Sequence, residues 1–449
     1  MLFHRKMRLS PARIILLGFA LLILTGALLL TLPIATRDGQ GAPFLDALFT
    51  ATSATCVTGL VVQDTSLYWT VFGQAVIILL IQIGGMGVVT AAVTLSMLAG
   101  RRIGLKQRWV MQESISAPQV GGIVRRTRFI LAATFLMEGI GALLLALRFC
   151  PEMGLRGIWY AVFHSISSFC NAGFDLMGAE AGTPFVSLTG YADDPLVTLT
   201  VAGLIALGGI GFITWGDVRE HKWHVRAYCL QTKLVLTVTA LLILLPTLFF
   251  LFYEFQLPQW QSLTGKEKVL GALFQSVTPR TAGYNTVDLT LLSGPSQMII
   301  TMLMLIGASP GSTAGGFKVT TLAVFFLAAK SVFLKKESLQ SFGRRLPVDT
   351  LRSAAAIFLM YLGLFLLGGT AISCMEGVSL SAALFETASA IGTVGLTLGI
   401  TPDLGAASQL ILIFLMYFGR VGGLTLVYAV LPDSGTVPSQ LPQERISVG

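Results

Sequence analysis

The sequence predicts an all-α membrane protein. Its expected architecture is four tandem helix–pore loop–helix repeats, eight transmembrane helices in all, around a pseudo-fourfold central pore. Three observations lead there. Of the 449 residues, 54% are hydrophobic and only 12% charged, and the mean hydropathy is +0.78. Soluble domains carry about 25% charged residues. Eight apolar runs reach the roughly 20 residues that a helix needs to cross a bilayer. One segment also recurs four times at a nearly constant period.

The recurring segment reads FLDALFTATSATCVTGL at 44–60, IWYAVFHSISSFCNAGF at 158–174, VLGALFQSVTPRTAGYN at 269–285 and LSAALFETASAIGTVGL at 380–396. Each copy leads from an apolar turn through small hydroxyl residues to a glycine, namely Gly59, Gly173, Gly283 and Gly395, spaced 114, 110 and 112 apart. A fixed internal period dictates architecture, and this one is too long for a solenoid, so it implies four similar units about one centre.

The apolar runs are 13–33, 70–98, 129–149, 195–215, 229–253, 295–333, 350–373 and 406–431. One precedes and one follows each glycine segment. The glycine segments are too short to span, and backbone that re-enters a membrane needs shielding by protein or by a water-filled cavity. The whole chain then forms one pore domain with repeats at 13–105, 125–220, 229–335 and 350–431. The polar stretch 432–449 is expected to be a short cytoplasmic tail.

Charge placement gives orientation. The N-terminal Arg5, Lys6, Arg8 and Arg13, with the loops near 100–128, 216–233 and 330–352, hold 21 of the 30 Lys and Arg. Acids such as Asp38, Asp64, Glu180, Glu254, Glu376 and Asp403 fall in the alternate loops. The positive-inside rule therefore places both termini and the basic loops in the cytoplasm. Flanked by spans, the basic loops do not read as a nucleic-acid surface. The N-terminal apolar run ends at Leu32-Pro33 without a small-x-small cleavage site and opens the first repeat, so it reads as a span rather than a signal peptide. Five scattered cysteines fit neither a metal site nor a disulfide scaffold.

Glycine pairs recur in the second run of three repeats, at Gly84-Gly85, Gly208-Gly209 and Gly422-Gly423, and close helix packing accounts for them. The third repeat differs. Gly307, Ala308, Ser309, Pro310, Gly311, Ser312, Thr313, Ala314, Gly315 and Gly316 interrupt its second run. Glycine costs about 1 kcal/mol and proline about 3 kcal/mol within a helix, so this stretch should unwind. Unwound backbone inside a membrane lines a cavity, which makes 307–316 a candidate gate and this run the one expected to be broken.

The glycine windows are the candidate ion site. A cation stripped of water needs replacement oxygens, which backbone carbonyls supply, and aiming successive carbonyls at one axis takes conformations that a Cβ disfavours. The candidate residues are Val57, Thr58 and Gly59; Asn171, Ala172 and Gly173; Thr281, Ala282 and Gly283; and Thr393, Val394 and Gly395. Intramembrane charges are functional candidates by default. Arg420 either repels cations below the windows or satisfies carbonyls of the unwound stretch, and Lys318 does the latter or snorkels. Glu138 reads as a structural partner for a hydroxyl or backbone group, and His164 and Glu386 as local braces of their loops. Gly307 to Gly311 fits G-x-S-x-G, but the strand-to-helix elbow and histidine partner are missing. Phe317 stands where a phosphate loop requires lysine. No enzyme is predicted.

With four single-glycine windows and one unwound Gly/Ser/Ala stretch, the chain resembles the Trk/Ktr/HKT superfamily of potassium transporters, most of all the bacterial Ktr membrane subunit. The strings SVTPRTAGYNTVD (276–288), GASPGSTAGGFKVTT (307–321) and FGRVGG (418–423) carry the likeness. The resemblance implies K+ uptake through the windows, sodium or mixed-cation conduction and alternating-access symport being the alternatives. It further implies Na+ as an activator, an intramembrane gating loop at 307–316 and a flux-limiting arginine at Arg420. A homodimer in the bacterial inner membrane and a cytoplasmic nucleotide-binding regulatory ring are also implied, so nucleotide would act only through that partner. Two departures stand out. Phe274 and Gly283 lie nine apart where the other repeats have ten, and Pro310 stiffens the gating stretch.

Overall fold

The structure is a computed structural model that describes residues 10–98, 104–114, 121–336 and 338–430. Arg5, Lys6, Arg8, part of the 100–128 loop and the 432–449 tail lie outside the described residues. The described chain is mostly helical, with one two-residue antiparallel hairpin, Gln340–Ser341 against Arg344–Arg345, inside the basic 330–352 loop.

Among the described residues, four helices are long and apolar enough to cross a membrane: Pro11–Leu30, Ile123–Met153, Leu230–Gln256 and Asp349–Glu376. They match the first run of each repeat. Pro11 at the first helical position and Ser10, whose hydroxyl accepts from the Arg13 N–H, start the first of them, satisfying an orphan donor with a preset φ. Along it, Leu17, Leu21, Leu24 and Leu28 form an exposed stripe at the four-three-four spacing of one helix face. In a bilayer that face meets lipid.

The second runs are all interrupted, which corrects the expectation that only the third would be. Val71–Met86 and Val88–Thr94 meet at 99°, and Pro195–Ile210 and Phe212–His221 at 92°. Ala406–Val421 is likewise followed by a separate Gly423–Val430. The three breaks fall at Gly87, Gly211 and Gly422, with φ of 85°, 93° and 91°, a region that glycine enters without steric cost. The packing role expected of the glycine pairs is taken by Gly84 and Gly208 themselves in the first two repeats, and by the nearby Gly419 in the fourth. A Cβ at Gly84, Gly208 or Gly419 would strike the carbonyl of Thr55, Phe169 or Ile391 respectively. Each of those residues lies four before a window glycine, so the second helix presses on the end of its own repeat's short helix.

Those short helices are Phe44–Cys56, Arg156–Phe169, Gly265–Val277 and Leu380–Gly392. Thr264 and Glu267 form a capping box on the third, and the Ser379 hydroxyl caps the fourth. At 13 or 14 residues each, and about 1.5 Å per residue, none can cross a bilayer. Their C-terminal ends, which carry partial negative charge, run directly into the glycine windows.

Candidate functional site

The windows share one backbone conformation. Val57, Asn171, Thr281 and Thr393, the first residue of each, are left-handed, with φ of 59°, 61°, 70° and 52°. The glycines are also at positive φ, 94° at Gly59, 69° at Gly173, 81° at Gly283 and 97° at Gly395, while Thr58, Ala172, Ala282 and Val394 between them are not. Alternating handedness turns successive carbonyls toward one side of the chain.

The windows also touch in sequence. A Cβ at Gly59 would stand 2.5 Å from the Ala172 carbonyl oxygen, and one at Gly173 2.6 Å from that of Ala282. At Gly283 it would strike the Val394 carbonyl, and at Gly395 that of Thr58. First repeat meets second, second meets third, third meets fourth and fourth meets first, so the ring closes. No hydrogen bond reaches the carbonyls of these twelve residues among the described residues. Eleven of the twelve residues are buried and Gly283 is half-buried, and a buried carbonyl is nearly always paired.

The one-residue deletion in the third repeat is absorbed in the turn before its window. The N–H groups of Thr58, Ala172 and Val394 reach back five residues, to the carbonyls of Ser53, Ser167 and Ser389, whereas Ala282 reaches back four, to Thr278. Behind that window sits Arg280, 4% exposed, whose Nη2 donates to Thr239 Oγ1 at 3.2 Å. Sequence reasoning did not single out this cation, or Ser53, Ser167, Thr278 and Ser389. The signal for the hydroxyls was present: each lies four residues after the segment's phenylalanine.

Side chains brace the loops that leave the windows. His164 Nδ1 pairs with the Tyr160 carbonyl at 2.7 Å, and its Nε2 accepts from the Leu176 N–H. The Glu386 carboxylate accepts from Thr397 Oγ1, the Leu398 N–H and Thr401 Oγ1. Glu138 holds the Gln82 carboxamide at 3.0 Å, an amide where a hydroxyl or backbone group was expected.

The stretch 307–316 is unwound, lying between helices Gly294–Leu305 and Val319–Phe333. It docks against the break of the second repeat: the Ser309 N–H donates to the Gly209 carbonyl at 3.0 Å, and the Phe212 N–H to the Gly311 carbonyl at 2.9 Å. Pro310 sits at that contact, its carbonyl oxygen 2.8 Å from where a Cβ of Gly211 would lie. The stretch also touches the windows. Thr313 Oγ1 is 3.5 Å from the Asn171 carboxamide, and a Cβ at Gly315 would come 2.8 Å from the Thr393 methyl.

Both cations singled out from the sequence, Arg420 and Lys318, bind this stretch. Arg420 donates to the carbonyls of Thr313, Gly84 and Gly85, and Lys318 Nζ to those of Ala314 at 2.8 Å and Gly315 at 3.0 Å. Of the alternatives weighed from sequence, each side chain takes the carbonyl-satisfying one, and Lys318 does not snorkel. A cavity of about 220 Å³ adjoins them, lined by Gly85, Gly311, Ser312, Gly316, Lys318 and Arg420 among others.

The family model "TrkH: Cation transport protein" matches residues 19–435. The chain belongs to the TrkH family. Family membership makes it a multi-pass membrane cation transporter and not an enzyme. Among similar proteins, the potassium/sodium uptake protein NtpJ of Enterococcus hirae is 38% identical over 99% of this chain and 98% of its own length. The Ktr system potassium uptake protein B of Bacillus subtilis is 39% identical over 94% of this chain and 93% of its own. Both agree with the resemblance read from the sequence. The crystal structure of the potassium transporter TrkH from Vibrio parahaemolyticus aligns with a TM-score of 0.73 at 20% identity, covering 96% of this chain and 87% of that one. At that identity it speaks for the fold alone.

Proposed function

We propose that this TrkH-family chain is a potassium uptake protein whose four windows form a carbonyl selectivity filter. The observation that carries the reading is the closed ring of window residues, all buried except the half-buried Gly283, whose twelve carbonyls no donor reaches among the described residues. A dehydrated cation is the partner that such oxygens fit. The uptake named for the Enterococcus and Bacillus relatives supports K+ as the cargo. The repeats at 13–105, 125–220, 229–335 and 350–431 then each contribute two spans, continuous in the first run and broken in the second, giving eight around a pseudo-fourfold pore.

Residues 307–316, held by Lys318 and Arg420, form the gate. Inward movement is driven by the membrane potential, worth about 2.3 kcal/mol per charge per 100 mV. The protein works as a homodimer in a bacterial cytoplasmic membrane with both termini inside. A cytoplasmic nucleotide-binding regulatory ring docks on the basic loops, and Na+ acts as activator. NtpJ's printed name includes sodium, which keeps a mixed-cation conductor as the second reading.

Rubidium-86 uptake into proteoliposomes, competed by K+ or Na+, tests this for the parent and Gly283→Ser. The expected result is K+-competed uptake that the substitution weakens or makes Na+-sensitive. Uptake indifferent to both competitor and substitution would sink the filter reading.

A further inference from the structure

Four hydroxyl residues stand behind the windows, each four positions after a buried phenylalanine: Ser53 after Phe49, Ser167 after Phe163, Thr278 after Phe274 and Ser389 after Phe385. All four are fully buried. Their backbones act alike, each carbonyl accepting from the middle N–H of its window, at 2.8 Å for Thr58, 2.7 Å for Ala172, 2.9 Å for Ala282 and 2.8 Å for Val394. Their hydroxyls act in two ways. Ser53 Oγ and Ser389 Oγ accept from the N–H groups of Gly59 and Gly395, each at 3.0 Å. Ser167 Oγ and Thr278 Oγ1 instead donate to the carbonyls of Phe174 at 2.8 Å and Tyr284 at 2.5 Å. The Tyr284 hydroxyl adds a second donor to Phe174, at 3.0 Å.

The difference falls on the residue just after each glycine. In the second and third repeats its carbonyl is drawn toward the pore helix and paired there. In the first and fourth, Leu60 and Leu396 are buried at 0% and 1%, and no donor reaches their carbonyls among the described residues. Those two repeats are neighbours, because Gly395 abuts the Thr58 carbonyl. A buried carbonyl without a donor calls for a partner.

We propose that the four hydroxyls are specificity-determining positioning residues. They withhold the carbonyls of Phe174 and Tyr284 and leave those of Leu60 and Leu396 to form the outermost cation position. An ion there is dehydrated from one side and keeps water on the other. The number of oxygens offered, one of the quantities that sets selectivity between K+ and Na+, is thereby held at two. The proposal rests on the filter reading above.

Calorimetric titration of the detergent-solubilised full chain with K+ and with Na+ tests it, on the parent, Thr278→Val, Thr278→Ser and the double variant Ser167→Ala with Tyr284→Phe. Thermal unfolding is followed in parallel. Thr278→Val and the double variant each free one withheld carbonyl, and each is expected to lower the K+ to Na+ affinity ratio by roughly tenfold. Thr278→Ser keeps the donor and should stay near the parent. If one variant fails to fold, the other carries the same test on the neighbouring withheld carbonyl. Folded variants that keep the parent's ratio would overturn this proposal alone. A parent with no preference for K+ would overturn the filter reading and this inference together.

Discussion

Arg420 donates a hydrogen bond to the carbonyl of Thr313, at the middle of the unwound stretch. The same guanidinium reaches Gly84 and Gly85 in the first repeat, so one side chain ties the third repeat to the first across the cavity. Two effects follow from one position. The guanidinium bonds to the stretch, and on the gate reading proposed above its charge would raise the energy of a cation passing it. Arg420→Ala removes both and should raise rubidium-86 uptake by about tenfold, equivalent to ~1.4 kcal/mol off the barrier. Arg420→Lys keeps the charge but loses the three-way bonding, and should fall between. Unchanged uptake in Arg420→Ala would exclude a flux-limiting role.

Lys318 works on the adjacent carbonyls, those of Ala314 and Gly315. Since both cations clamp one short stretch, their effects should couple. Lys318→Met alone is expected to raise uptake less than Arg420→Ala, because it frees no contact to the first repeat. The double variant should gain less than the product of the two single increases, since groups sharing one network are not additive. Strictly multiplicative increases in a double-mutant cycle would mean that the two side chains act on separate elements.

Gly395 closes the ring against the Thr58 carbonyl at φ 97°. A left-handed L-residue costs roughly 1–2 kcal/mol before any collision, and here a Cβ would also meet backbone, which cannot swing aside. Gly395→Ala should therefore open the ring and reduce K+ competition against rubidium uptake by about tenfold or more. A substitution at Gly399, also at positive φ but with no atom near its Cβ direction, is the control that separates strain from collision. Equal losses at both positions would assign the effect to backbone strain.

Much of this was legible because it repeats. Four copies of one segment expose the windows, and ten small residues in a row expose the unwound stretch. What stayed hidden depends on contacts between repeats. Gly422 breaks its helix though in sequence it looks like half of a packing pair, and Gly87 and Gly211 break theirs two residues after the pairs Gly84-Gly85 and Gly208-Gly209. The bend shows only in a φ that local composition does not dictate. The opposed roles of Ser53 and Ser167 hinge on which way a hydroxyl hydrogen points, and that is set by the neighbouring backbone. Arg280 escaped notice because a lone arginine beside a proline reads as loop, whereas its burial comes from helix Leu230–Phe252, some 40 residues earlier.

Glu254 carries the last prediction. It is fully buried, and its carboxylate accepts from Trp260 Nε1 at 2.8 Å, the Ser293 N–H at 3.2 Å, Ser293 Oγ at 2.5 Å and Ser296 Oγ at 2.6 Å. These bonds join the end of the third repeat's long helix to the start of Gly294–Leu305. Glu376 does the same job in the fourth repeat with two donors, the Gly405 N–H at 2.9 Å and Ser408 Oγ at 2.5 Å, but it is only half-buried. Removing an acceptor strands its donors, at about 1–3 kcal/mol per buried group and far less where water replaces it. Glu254→Ala should thus destabilise by roughly 3 kcal/mol or more, and Glu376→Ala by about 1 kcal/mol. Thermal unfolding of the purified chain in detergent should rank them in that order, with Glu254→Gln between Glu254→Ala and the parent because it keeps one acceptor oxygen. Equal shifts for Glu254→Ala and Glu376→Ala would show that neither the number of stranded donors nor their burial sets the cost at these two helix junctions.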